Sequence, residues 1–340
     1  MPEFTRIAID TSKHVFTLHA VTIDGEVIRR DLRREQVSRF FKQQTPCMVA
    51  LEACGGSHHW GRILQAFGHT VRLIPPQYVK PFVRRSKNDR HDAEAISTAS
   101  AQASITPVPV KSAVQQARAM LLKVREALVA TRTARINELR GHAQEFGLVA
   151  AKGRRGLRDL RAELAEAAEA EVPAEAKEAF ALLGAEIERL DTQLGAIDEK
   201  LIAQCKEEPD SRRLCAVPGI GAISALTLVR TVDFTQFRSG RQFAAWLGLV
   251  PRQHSTGGKP RLGGISRAGN ERLRSLLIVG ATAVIRHKKP GPGRISAWLE
   301  ALLKRRPRKL AAVALANKMA RIVWAMMTRG EAYRTQPAGA

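Results

Sequence analysis

The chain has 340 residues, enough for two or three domains, and 44% of them are hydrophobic, which is enough to build cores. Lys and Arg number 55 against 32 Asp and Glu, so the formal net charge is +23. This charge is spread through every segment. It disfavours a small acidic substrate and favours a long polyanion, with a membrane surface as the competing partner. The most apolar late run, residues 310–327, carries Asn317, Lys318 and Arg321 and is therefore a poor membrane span.

The cysteines lie far apart in the sequence and include no CxxC pair. They are Cys47, Cys54, Cys205 and Cys215. This spacing favours reduced thiols in a cytoplasmic protein over disulfides or a zinc site. Residues 1–4 lead directly into strand-like sequence, so we expect no secretory signal.

Residues 1–108 alternate between short apolar runs and helical segments. The apolar runs predict strands, and Asp24-Gly25 is a strong hairpin-turn signal between two of them. The predicted strands are residues 6–10, 14–21, 26–32, 47–51 and 71–74, and the predicted helices are residues 35–44, 57–67 and one that begins near residue 89. This order is that of an α/β RNase H-like (RuvC-like) domain, in which the first strand lies beside the fourth at the centre of the sheet.

Four acidic residues occupy the positions that this topology brings together. Asp10 ends the first strand, Glu52 ends the fourth, and Asp89 and Asp92 begin the last helix. Residues three apart share a helix face, so Asp89 and Asp92 repel each other unless a cation lies between them. Each acid also has a simpler explanation, as a turn cap, an exposed strand end or an ordinary helix start. Together they predict a catalytic metal site for Mg²⁺, for which Mn²⁺ can substitute.

Residues 109–208 follow a linker-like stretch and are predicted to form a helical coiled-coil arm. In its second half, apolar residues repeat in steps of four and three, with Glu and Lys beside them. The repeat comprises Leu183, Ile187, Leu190, Leu194, Ile197 and Leu201. This seam closes either within one chain, against the first long helix, or between two chains, and the sequence does not choose.

Residues 209–330 are predicted to form a mostly α-helical C-terminal domain, and residues 331–340 a disordered tail. Near the start of this domain, residues 214–225 have the pattern of a helix-hairpin-helix. Gly219 and Gly221 would open its tight turn so that backbone N–H groups face a phosphate. The alternative is a plain helical turn, since Pro-Gly is a common break.

Residues 252–270 are predicted to form a loop dense in glycine, hydroxyl groups and cations, with no acid before Glu271. The expected ligand of this loop is a phosphodiester. The alternative is that the loop is solvated and binds nothing. The candidate nucleic-acid-binding side chains are those of Arg252, Lys259, Arg261 and Arg267.

With these motifs the chain resembles one family, the DEDD-type transposases of the insertion-sequence 110 family, 1111 group, over residues 5–330. The matching segments are Ala8-Ile9-Asp10-Thr11-Ser12-Lys13, Leu51-Glu52-Ala53-Cys54-Gly55-Gly56, Lys87-Asn88-Asp89-Arg90-His91-Asp92-Ala93, Val217-Pro218-Gly219-Ile220-Gly221 and Gly248-Leu249-Val250-Pro251-Arg252-Gln253-His254-Ser255-Thr256-Gly257-Gly258-Lys259. The last of these segments is the most specific to the family.

The resemblance implies an RNase H-like metal domain, a coiled-coil arm and a C-terminal transposase domain in a bacterial, nucleoid-associated protein. It implies that a serine of the C-terminal domain acts with the acidic tetrad. The family's serine aligns best with Ser255, and Thr256 is the competing hydroxyl. The implied partners are donor and target DNA, a non-coding guide RNA that bridges them, and further copies of the chain in a dimer or tetramer, with no membrane.

Two other functions stay open at this point. A metal-dependent nuclease or Holliday-junction resolvase would use water as its nucleophile, and a coiled-coil nucleic-acid-binding protein would have no catalytic activity. The acidic tetrad disfavours the binding protein, and the loop that carries Ser255 disfavours the hydrolytic enzyme, because hydrolysis needs no serine. The leading hypothesis is an RNA-guided DNA recombinase, whose active site forms within one chain or between protomers.

Overall fold

A computed structural model describes residues 3–84, 88–259, 261–287 and 294–333. Contacts between Cα atoms divide the chain into two compact units, Met1–Ala117 and Arg118–Ala340. The predicted domain boundaries after residues 108 and 208 stay predictions. In the predicted disordered tail, residues 334–340 lie outside the described residues.

The first unit is a mixed α/β domain with the predicted order of elements. Its strands are β1 (Phe4–Asp10), β2 (Val15–Thr22), β3 (Val27–Arg33), β4 (Met48–Glu52) and β5 (Thr70–Ile74). Its helices are α1 (Arg34–Lys42), α2 (Ser57–Ala66), the short α3 (Pro76–Val79), a 3-10 turn at Lys80–Phe82 and α4 (Asp89–Ser100).

The five strands form one sheet in the order β3-β2-β1-β4-β5. β1 runs antiparallel to β2 and parallel to β4, so the first strand lies beside the fourth, as predicted. One sheet face packs a core around Phe16, Phe41 and Trp60. The other face packs α4 on Ala8 and Ala50, whose small side chains let the helix approach the strands closely.

The second unit contains the remaining elements, of which α5 begins in the last residues of the first unit. They are α5 (Ala113–Glu145), α6 (Arg154–Glu166), α7 (Ala174–Glu207), α8 (Pro209–Leu214), α9 (Ala222–Thr231), a 3-10 turn at Phe234–Gln236, α10 (Gly240–Trp246), β6 (Pro251–Gln253), β7 (Leu262–Ile265), α11 (Glu271–Arg286), α12 (Arg294–Arg305) and α13 (Arg308–Arg329). Part of the predicted loop 252–270 is therefore a two-stranded antiparallel hairpin, β6–β7.

The two long helices α5 and α7 pair within one chain. Arg125 forms a salt bridge with Asp198, and Arg132 forms one with Asp191 at 2.6 Å. The residue number rises on α5 as it falls on α7, so the helices run antiparallel. The seam residues Ile187, Leu190, Leu194 and Leu201 are buried in this chain alone. The pairing that the sequence left open thus closes within the chain, and the description of the arm as a coiled coil stays a prediction.

α13 is the central helix of the C-terminal core. Its length and composition alone would allow it to cross a membrane, with a mean hydropathy of 1.3 over its most apolar window. However, eight of its residues are buried within the protein, and α10 and α11 pack against it. This burial is expected of the core helix of a folded domain.

Candidate active site

Two acids reach the same edge of the sheet because β1 and β4 are neighbouring parallel strands. Asp10 is the last residue of β1, and Glu52 is the last residue of β4. The register pairs Ile9 with Leu51, the residues that immediately precede them. Both acids are half-buried, because the apolar strand residues before them lie in the core.

Two further acids come from the first turn of α4. Asn88 caps this helix, and its side chain accepts a hydrogen bond from the N–H of Arg90 at 3.1 Å, so Asp89 is the first helical residue. Asp92 follows three residues later on the same face. Carboxylate oxygens of Asp10, Asp89 and Asp92 all lie within 4.8 Å of one another. Glu52 is outside this group of three.

The charges in this cluster are poorly compensated. Burial, followed by the charges of Asp92, Asp89 and Glu52, raises the pKa of the Asp10 carboxyl from 3.8 to about 6. Burial and then the charge of Asp92 also raise the pKa of Glu52, which shows that Glu52 shares the field of the cluster. Mutual repulsion of this kind is what a bound divalent cation would remove.

Nearby arginines hold α4 in place without neutralising the cluster. Glu94 on α4 forms salt bridges with Arg84 at 2.7 Å and with Arg29 of β3 at 3.3 Å. Arg90 lies 3.8 Å from Asp31 of β3. Within the described part of the first unit, the salt bridges use Asp31 and Glu94 and not the four clustered acids. Among the described residues, these ion pairs fix α4 to the sheet through Glu94 and Arg90.

Ser255 lies near the tip of the β6–β7 hairpin, in the second unit. Gly257 and Gly258 have positive φ angles of 56° and 76°, and the N–H of Lys259 donates to the carbonyl of Thr256 at 3.1 Å. These features describe a tight two-residue turn, in which both central positions favour glycine. The exposed Oγ of Ser255 accepts hydrogen bonds from the backbone N–H of Arg261 and from Nε2 of Gln253, both at 3.1 Å.

The predicted cations of this region are exposed on and after the hairpin. Arg252 is on β6, where its Nε donates to the carbonyl of Ser266 at 3.3 Å, and Lys259 and Arg261 follow the turn. Arg267 is not on the hairpin itself. It follows β7 in a compact bend, where its φ is +56°. The segment from Pro251 to Asn270 contains no acidic residue, so an anion meets no repulsion there.

Two family models and several known proteins match the sequence of this chain. A model of DEDD transposases of the IS110 type matches residues 7–147, and one described as "Transposase IS116/IS110/IS902 family" matches residues 211–294. A putative transposase of Sinorhizobium fredii is 49% identical over 98% of this chain and 86% of its own length. The transposase for insertion sequence element IS1111A of Coxiella burnetii is 44% identical over 98% of this chain and 92% of its own length. A probable family 20 transposase of Pseudomonas aeruginosa is 49% identical over 97% of this chain and 98% of its own length.

The chain belongs to the IS110 family of transposases. The resemblance seen in the sequence is thereby confirmed, and with it the activity of an insertion-sequence transposase that acts on DNA. The DEDD domain of this transposase indicates use of a divalent metal, and the group of Asp10, Asp89 and Asp92 offers oxygen ligands for it.

The residues that hold the two ends of the hairpin of this transposase were not predicted from the sequence. Arg274 on α11 is only 8% exposed, and its guanidinium donates to the carbonyls of Leu247 at 3.1 Å and Ala268 at 2.9 Å. Asn317 on α13 donates to the carbonyl of Leu249 at 3.1 Å. A polar residue within an apolar helix pattern was the available signal, since such a residue is buried only when its hydrogen bonds are satisfied.

The predicted helix-hairpin-helix corresponds to α8, residues 215–221 and α9. Gly221 precedes α9 and is exposed, as a phosphate contact requires. Gly219 has a positive φ of 88° and is packed against α11, where a Cβ on Gly280 would lie 1.9 Å from the Gly219 carbonyl oxygen. In this transposase Gly219 thus has a packing role, and its contact with nucleic acid stays a prediction, as does that of Gly221.

Proposed function

We propose that this transposase cuts and rejoins DNA through a covalent bond between Ser255 and a DNA phosphate, with Mg²⁺ held by Asp10, Glu52, Asp89 and Asp92. The observation that carries the proposal is the convergence of Asp10, Asp89 and Asp92 within 4.8 Å at one sheet edge. Glu52 is the proposed fourth ligand, supported by its position at the end of β4, the parallel neighbour of β1.

The donor set fits a hard divalent cation. All four side chains are carboxylates, and oxygen ligands suit Mg²⁺ or Mn²⁺, whereas zinc sites usually contain nitrogen or sulfur. Burial and then the neighbouring carboxylates raise the pKa of Asp10, which supports a site where a cation would offset negative charge. When bound, such an ion polarises the scissile phosphate and stabilises the leaving oxygen.

The hydrogen bonds at Ser255 support its role as the nucleophile. Both are donated to Oγ, from the Arg261 N–H and from Gln253, so they stabilise negative charge as the hydroxyl loses its proton. The described contacts of Thr256 are those of a turn residue, whose backbone carbonyl accepts from Lys259. This difference favours Ser255 over Thr256.

The chemistry balances without a high-energy cofactor. Attack by the Ser255 oxygen forms one phosphodiester bond and breaks another, and the displaced strand end leaves as a hydroxyl that has gained the proton. The reverse attack, by a hydroxyl of a new strand, reseals the DNA and frees the serine. Exchange of equivalent esters costs little free energy, so no ATP is needed.

We also propose that a non-coding RNA of the element directs the choice of donor and target DNA. The formal charge of +23 supports a large nucleic-acid ligand, and the homo-oligomer implied by the resemblance would bring two DNAs together. The test is whether purified transposase retains one structured RNA encoded beside its reading frame, and whether changing a target-matching segment of that RNA moves the insertion site.

The decisive experiment follows the protein–DNA adduct. Ser255→Ala is expected to lose both recombination and an adduct that resists denaturant. Thr256→Ala, a matched loss of the neighbouring hydroxyl, is expected to keep much of each. Asp89→Asn preserves side-chain shape but removes one carboxylate, so cleavage should be lost while DNA binding remains. An adduct formed by Ser255→Ala but not by Thr256→Ala would transfer the role to Thr256. Active recombination by the wild type without any adduct would favour hydrolysis and overturn the proposal.

A further inference from the structure

A large apolar groove lies in the second unit at the base of the β6–β7 hairpin. Its volume is about 1450 Å³, and it runs between the hairpin, the start of α10, and helices α12 and α13. The hairpin contributes Pro251 and Gly263 to Ile265, whereas Ser255 lies nearer the tip of the same hairpin. The groove's lining includes none of the four clustered acids and not Ser255, and no role described so far uses the groove.

Two tryptophans line this groove. The Nζ of Lys318 lies 4.6 Å from the centroid of the Trp298 ring, in cation–π contact. The Nε1 of Trp324 donates to the carbonyl of Phe237 at 3.1 Å, which fixes the orientation of that ring. Both tryptophans are partly exposed. Oriented, partly exposed aromatic rings are the surfaces on which flat apolar groups stack.

The charged residues of the groove are all cations. They are Arg241, Lys309, Lys318 and Arg321, and no Asp or Glu is among the lining residues that the structure describes. Arg241, Lys309 and Arg321 form no salt bridge with any described residue, so an occupant can supply their counter-charge. A second copy of this chain, with its charge of +23, is a poor occupant. An occupant with both negative charge and flat apolar surfaces fits, and a nucleotide has both.

We propose that this groove binds unpaired nucleotides of a nucleic-acid strand beside the site of strand cleavage. Bases would stack on Trp298 and Trp324, and phosphates would contact Arg241, Lys309 and Arg321. Ser255 follows Pro251 by four positions, and an extended strand rises about 3.3 Å per residue, so the groove edge lies within about 13 Å of the nucleophile. This proposal rests on the proposed role of Ser255. It adds a binding site that selects DNA distorted next to the cut.

The test compares two duplex oligonucleotides that differ at a single bulged position, one with a base and one with an abasic sugar. Binding is measured by fluorescence anisotropy in EDTA, so that no divalent ion is present and no strand is cut. The wild type is expected to bind the bulged base at least about fivefold more tightly, as stacking on an aromatic side chain predicts. Single strands of DNA and of RNA, measured in parallel, show which of the two the groove prefers.

Variants assign the preference to the groove. Trp298→Ala should bring the two affinities within about twofold of each other, and Trp298→Phe should retain most of the preference, since stacking needs only a ring. Arg321→Gln should weaken binding to both duplexes equally, because a phosphate contact does not distinguish a base from an abasic sugar. Tyr78→Ala removes an exposed ring of the first unit and should leave the preference unchanged.

Several results would overturn this proposal. Equal affinity of the wild type for both duplexes would do so, as would a preference that survives in a folded Trp298→Ala variant. Displacement of the bulged duplex by polyglutamate of equal charge would identify the groove as a site for acidic peptides. Because the assay involves no cleavage, its failure leaves the Ser255 adduct experiment unaffected. Absence of the adduct in the wild type would refute Ser255 as the nucleophile and would leave this binding result unchanged.

Discussion

The acidic cluster predicts a steep pH dependence of metal binding, which follows from the raised pKa of Asp10. With a pKa of about 6, the Asp10 carboxyl is about nine-tenths ionised at pH 7 and about one-tenth ionised at pH 5. A metal binds the ionised form, so the apparent affinity should fall about tenfold between pH 7 and pH 5. The raised pKa of Glu52 acts in the same direction and adds to the fall. With the ordinary value of 3.8, Asp10 would stay ionised at both pH values and contribute almost no change.

The measurement is a titration with Mn²⁺, in which the free ion is counted by electron paramagnetic resonance at pH 5, 6 and 7. Asp10→Asn should bind weakly at every pH and lose most of the pH dependence. Asp24→Asn makes the same chemical change in the exposed turn between β2 and β3, and it should behave as the wild type. An affinity that changes less than about twofold over this range, in protein that circular dichroism shows to be folded, would refute Asp10 as a ligand with a raised pKa.

Three further predictions concern charge and packing. Log affinity for duplex DNA against log salt should have a slope of magnitude at least about 3, because each phosphate contact contributes about 0.9; a shallower slope in a filter-binding assay would leave the charge unexplained. Leu190→Asp combined with Leu194→Asp should lower the melting temperature measured by calorimetry, since both side chains are buried between helices of one chain. Gly280→Ala should destabilise by about 1–3 kcal/mol, because its Cβ would lie 1.9 Å from the Gly219 oxygen. Gly195→Ala, whose Cβ would meet open space on α7, should instead raise the free energy of unfolding by up to about 1 kcal/mol. Urea titrations of both glycine variants measure these changes.

The sequence predicted the first unit well because β1, β2 and β4 each contain a run of buried residues. Apolar runs such as residues 47–51 have no other stable place than the interior of a sheet, and the confirmed strand order then followed from the order of elements. The position of Asp10 and Glu52 at one edge follows from the same order, because neighbouring parallel strands end together. That three carboxylates come within 4.8 Å needed the structure, since it depends on how closely α4 approaches Ala8 and Ala50.

The β6–β7 hairpin was wrongly predicted to be part of a loop for a physical reason. The residues of β6 are all exposed, and those of β7 are nearly so, which means that neither strand has a buried face to impose an alternating pattern. Its position depends instead on Arg274, whose guanidinium donates to the carbonyls of Leu247 before the hairpin and Ala268 after it. Likewise the pairing of α5 with α7 joins segments about sixty to seventy residues apart, and a heptad repeat alone does not specify its partner.

The two-residue turn at Gly257 and Gly258 limits how the length of this hairpin can vary. Side chains on a strand alternate between its two faces, and a short turn fixes which residues stand opposite each other. One inserted residue between Pro251 and Ser255 would therefore turn the serine to the other face or force a bulge beside it. Insertions that keep Ser255 in place must be added in pairs beyond it, one on each strand, so that the turn moves outward and the base does not change. In relatives that use the same serine, hairpins should differ in length by even numbers of residues, except where they gain or lose an irregularity such as the register shift between Pro251 and Gln253.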